Sequence, residues 1–116
     1  MNVSKSTCLL HGWPGVSLVK HGAQLGGAAQ WEELTDASGN PRPAPSVSLL
    51  PGESAQSTLG VSNARNYGSR CKLVTADGFR VYPPNSYTAV FVPAQEQACD
   101  NKDIDLLVVY PVLPKP

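Results

Sequence analysis

Residues 71–99, CKLVTADGFRVYPPNSYTAVFVPAQEQAC, decide the fold. Phe79–Tyr82 and Tyr87–Val92 are rich in β-branched and aromatic residues and read as strands. Pro83-Pro84 separates them, because two prolines cannot donate to a ladder. Ahead of them, Cys71–Val74 reads as a short strand and Ala76-Asp77-Gly78 as a turn. A cysteine stands at each end of the stretch. The reading is a two-strand excursion that returns the chain to its starting edge, closed by a Cys71–Cys99 disulfide. Closing that loop removes about 3–4 kcal/mol of unfolded-state entropy.

The same texture extends outward in both directions. Toward the start lie Thr7–Leu10, closed by HGWPG (11–15), then Val16–Lys20, a turn at His21-Gly22, and Ala23–Leu25. Val47–Leu50 resumes strand character, and Pro51-Gly52 is a turn. Ala55, Ser57, Leu59 and Val61 share one face of the next strand. Asp105–Val112 is the last strand, and LLVVY (106–110) is apolar on both faces, which predicts a central position. SGNPRPAP (38–45) and SNARNYGSR (62–70) read as loops, and Gln30–Thr35 as one helical turn. The chain carries 11 prolines and 10 glycines, too many breakers for long helices. Seven or eight short strands spaced by turn signals predict an all-β antiparallel sandwich with little or no helix. Residues 1–116 form one domain, with Phe79, Val81, Leu59, Val61, Phe91, Leu107 and Val109 in the core.

Charge and apolar content set the function classes. Nine basic residues balance nine acidic ones, so there is no excess to neutralise phosphates, and no nucleic-acid partner is expected. No apolar run approaches the roughly 18 residues of a transmembrane segment. Cys8 is left as a free thiol. Cys8 and His11 have the spacing of half a zinc site, but no second half exists, so neither a metal nor another cofactor is expected. The cysteines suit an oxidising compartment, extracellular or cell-envelope, yet MNVSKSTC holds no signal-peptide core. Asn2-Val3-Ser4 matches a glycosylation sequon. His11 and His21 stand in turns without a nucleophile's elbow, and Asp100, Asp103 and Asp105 lie in a polar run, so no catalytic set is expected. Trp13 in HGWPG, with Arg65 and Tyr67 in NARNYGSR, could form a recognition patch on loops held by a rigid sandwich.

NVSKSTCLLHGWPGVSLV (2–19), SLLPGESAQSTLGVSNARNYGSRC (48–71) and GFRVYPPNSYTAVFVPAQEQAC (78–99), followed by an apolar strand, match in order the signature of a known family. The chain resembles the actinobacterial secreted or lipoprotein family called domain of unknown function 4232, and the resemblance covers nearly the whole chain. It implies an Ig-like β-sandwich, secreted or lipid-anchored, with four cysteines as the usual number. It implies no established activity, so it brings no catalytic residue. It also implies further strands and another cysteine ahead of this start, which would account for the unpaired Cys8 and the missing signal. An incomplete sheet edge is then expected near residues 2–10 or against the last strand, with edge-strand homodimers as a consequence. The expected function is a non-catalytic binding or structural module whose partner is a protein or envelope component. The alternative is a carbohydrate-active or other hydrolytic enzyme using Asp100, Asp103, Asp105 or His11.

Overall fold

A computed structural model describes residues 1–84 and 86–115. The strands are β1 (Cys8–His11), β2 (Gly15–Lys20), β3 (Ala23–Leu25), β4 (Gln30–Trp31), β5 (Leu34–Thr35), β6 (Pro41–Arg42), β7 (Ser46–Leu49), β8 (Ala55–Gln56), β9 (Leu59–Val61), β10 (Leu73–Tyr82), β11 (Val90–Cys99), β12 (Leu107–Val109) and β13 (Leu113–Pro114). The fold is all-β, with one short 3₁₀ segment over Ala64–Cys71.

The first sheet has the order β11-β10-β2-β3, all antiparallel. The second is β4-β12-β9, with β12 central as its apolar faces required. Its antiparallel pairing with β9 continues past Pro111: Tyr110 N–H donates to the Thr58 carbonyl, β13 pairs with β8, and Lys115 N–H donates to the Ser54 carbonyl. Leu18, Leu25, Ala76 and Ala98 of the first sheet meet Leu107 and Val109 of the second in one core, closed at one end by Ile104 and the Cys71–Cys99 bridge. A smaller cluster of Val47, Leu49 and Val112 lies under the β1–β7 pair.

Several expectations are corrected. The Gln30–Thr35 stretch is not a helical turn. Gly26, at φ +68°, turns the chain out of the first sheet, and Gln30–Trp31 then pairs parallel to β12, with Glu32 N–H bonded to the Val109 carbonyl at 2.9 Å. This is the one parallel pairing among the described strands, and tertiary hydrogen bonding overrides local preference there. The 62–70 loop contains the 3₁₀ segment, which starts with the Asn63 side chain accepting from Arg65 N–H at 3.0 Å. Ala76-Asp77-Gly78 is not a turn but the middle of β10. Two residues of β11, Ala94 and Gln95, oppose Asp77 in a bulge, and the Asp77 carboxylate accepts from His21 N–H instead of closing a turn. Among the expected core residues, Leu107 and Val109 are buried, whereas Phe79, Val81 and Leu59 are half-buried. Val61 is 43% exposed at the end of the edge strand β9, and Phe91 is 53% exposed because it pairs with Arg80 and lies on the outer face of β11. β12, within the stretch expected as the last strand, has neighbours on both sides, so no open edge lies against it, whereas β1 pairs with β7 alone.

Candidate functional site

Chain reversal at HGWPG brings the two tryptophans together. Gly12 takes φ +98°, a conformation that favours glycine, and Pro14-Gly15 leads directly into β2. Trp13 is thereby laid against the core, where it is half-buried. Its indole N–H donates to the Glu32 carbonyl at 2.9 Å, tying the loop to the end of β4. Its ring stacks on Trp31, with centroids 5.0 Å apart and planes 4° from parallel. Such a pair adds about 0.5–1.5 kcal/mol beyond its buried area. Trp31 is nonetheless 63% exposed. One face of its ring is held by Trp13 and the remainder is presented to solvent.

Beside this pair, β10 ends in Tyr82, which pairs with Gly15, and Pro83-Pro84 follows. Ser86 N–H donates to the Pro83 carbonyl at 3.0 Å, turning the chain toward Tyr87, which is 98% exposed. His11, Trp13, Trp31, Tyr82, Pro83 and Tyr87 line an open depression of about 350 Å³, completed by glycines, Pro84 and Ser86. Among the described residues, no Asp, Glu, Lys or Arg lines it. His11 lies on its rim with Nε2 3.1 Å from the Ala44 carbonyl oxygen. Among the described residues, the Trp31 indole N–H and the Tyr82 and Tyr87 hydroxyls make no hydrogen bond within the chain. The surface therefore offers flat aromatic rings, proline walls and uncommitted donors. It can hold an uncharged ligand by stacking and by donating to carbonyl or hydroxyl oxygens.

The family model for the domain of unknown function (DUF4232) matches residues 1–112. The chain belongs to this family. No curated protein and no solved structure matches it. Membership in DUF4232 therefore brings no activity to transfer, and the residues must be judged by their geometry.

In this DUF4232 chain the three proposed recognition residues are divided. Trp13 belongs to the aromatic depression. Arg65, exposed, lines a different hollow with Gly68 of the 3₁₀ segment and Leu73 of β10, and Tyr67 of the 3₁₀ segment packs half-buried on the core. Cys71 and Cys99 are bonded, with Cα atoms 4.5 Å apart, and Cys8 is unbridged and half-buried. Cys8 and His11 do not combine, because β1 alternates and turns Cys8 inward and His11 outward. Asp100, Asp103 and Asp105 are exposed; Asp105 accepts from the Gln30 amide at 2.8 Å, and no metal-holding cluster occurs among the described residues. The Asn2 sequon has a structural use: its amide N–H₂ donates to the Ser6 and Leu49 carbonyls at 2.9 and 2.8 Å. Sequence reading missed Trp31, Tyr82 and Tyr87. The signal available was the Tyr-Pro-Pro run with a second tyrosine close behind it; nothing local joined it to either tryptophan.

Proposed function

We propose that the chain is a non-catalytic recognition module, secreted or held at the cell envelope, that takes proline-rich segments of a protein partner in the aromatic depression. The observation that carries this reading is the Trp31 ring, anchored on one face by Trp13 and open elsewhere, among Tyr82, Tyr87 and two prolines. A polyproline II segment has no internal hydrogen bonds and presents flat pyrrolidine rings with free carbonyls. Aromatic-lined grooves with indole and phenol donors suit such a ligand. The uncharged lining favours it over an acidic or basic peptide. The compartment is inferred from the Cys71–Cys99 bridge, since structural disulfides persist in oxidising surroundings. No helix among the described residues is long and apolar enough to cross a membrane.

The test is a fluorescence titration of the intact chain with an oligoproline peptide, and in parallel with a neutral oligosaccharide. The expected result is a saturable change in tryptophan emission with the peptide. Trp31→Ala should weaken binding about thirtyfold, the loss typical of a central aromatic anchor. Saturation by the oligosaccharide alone would replace the ligand class while keeping the site. Peptide binding unaffected by Trp31→Ala would remove the site.

A further inference from the structure

One of the two edges of the first sheet is β11, at ten residues one of the two longest strands. Other edges are short: β3 has three residues and β9 three. Val90, Phe91 and Val92 stand at the open end of β11 and are 54%, 53% and 44% exposed. Directly paired residues share a face of a sheet. Val90 and Val92 pair with Val81 and Phe79, so they lie on the core-facing side. Phe91 pairs with Arg80 and lies on the outer side. Neither side is fully covered, although all three residues are apolar: Val92 shares a hollow with Pro14, Leu59 and Val109 and is still 44% exposed.

We infer that this edge pairs with the same edge of a second copy of the chain, antiparallel, about a twofold axis through Phe91. The pattern Val90-Phe91-Val92 is its own complement in that register. Phe91 faces Phe91 of the second copy on the outer side. Val90 faces Val92 on the inner side, twice over. One residue further out, Ala89 meets Pro93, which has no N–H to give and marks where the ladder stops. Residues 87–95 carry no charge, and the chain has a formal net charge of zero, so no like charges are brought together. A register displaced by one residue would set core-facing against outward-facing side chains. The product is a continuous eight-stranded sheet across two copies, with its free apolar edge removed.

Sedimentation equilibrium of the full chain under reducing conditions tests the pairing. The expected mass is twice that of one chain, and Phe91→Lys returns it to a single chain. Leu9→Lys, an exposed apolar residue on β1, leaves the mass doubled. The register is tested in a Cys8→Ser background. Phe91→Cys forms an intermolecular disulfide on mild oxidation, because the two Cβ atoms face each other across the axis. Glu96→Cys, outside the pairing, does not. A single-chain mass for the unaltered protein at about 0.1 mM, far above the micromolar range of a modest interface, overturns the proposal. Equal cross-linking through residues 91 and 96 overturns the register.

Discussion

Asn2 is 8% exposed, and its side chain is fully engaged: the amide N–H₂ reaches the Ser6 and Leu49 carbonyls, and Oδ1 accepts from the Ser4 N–H and hydroxyl. Its backbone also bonds Glu53 and Gly52. Removing the side chain leaves the buried Leu49 carbonyl without this donor, so Asn2→Ala should cost about 1–3 kcal/mol of stability in urea unfolding. Gly78 makes the converse point. A Cβ there would run into the Val92 carbonyl and the Phe91 ring. Gly78→Ala should therefore destabilise the protein by about 1–3 kcal/mol, with the midpoint falling and the slope unchanged. Neither role was legible in the sequence. Asn2 read as a sequon and Gly78 as a turn glycine, because Leu49 and Val92 are distant along the chain. Trp13 was legible as a large aromatic in a loop, but its partner Trp31 depends on a parallel pairing that no local pattern announces.

At the scale of elements, the strands flanking the cysteines were legible and their lengths were not. β-forming residues and the Pro-Pro break located both β10 and β11. The Ala94–Gln95 bulge opposite Asp77 let each strand run through what read as a turn or an end. Pro93 is tolerated because β11 is an edge strand. The Cys71–Cys99 pairing followed from position alone. It joins the end of the 3₁₀ segment to the last residue of β11 and spans 28 residues of sequence. Replacing both cysteines by serine should lower unfolding stability by about 3–4 kcal/mol. Because the bridge acts on the unfolded chain, exchange of the slowest amides, in β12 as well as in β10, should quicken by the same factor. Quickening confined to Leu73–Ala76 and Gln97–Cys99, next to the bridge, would mean that the bridge instead holds this corner of the native fold.

As a whole, the molecule is flat, with extents of 47 × 37 × 21 Å and a radius of gyration of 15.6 Å. A compact chain of this length would have about 13 Å. The flatness explains why part of the apolar set predicted to be buried is half-buried or exposed: a thin two-layer body covers its centre and leaves its edges bare. Exposed apolar residues include Trp31, Tyr82 and Tyr87 at the aromatic depression and Val90, Phe91 and Val92 at the open end of β11, with Met1, Val3, Leu9 and Leu50 exposed around the β1–β7 pair. Fold class was legible from strand spacing. The site was not, since its residues come from the turn before β2, from β4 and from the segment after β10. The Trp13–Trp31 depression is the proposed recognition surface. It is tested most directly by following the indole N–H resonances of the two tryptophans by NMR during titration with oligoproline. The Trp31 resonance should move saturably, while that of Trp13, bonded to the Glu32 carbonyl, moves far less. Both indole resonances standing still while amides of Arg65 and Tyr67 shift would contradict it.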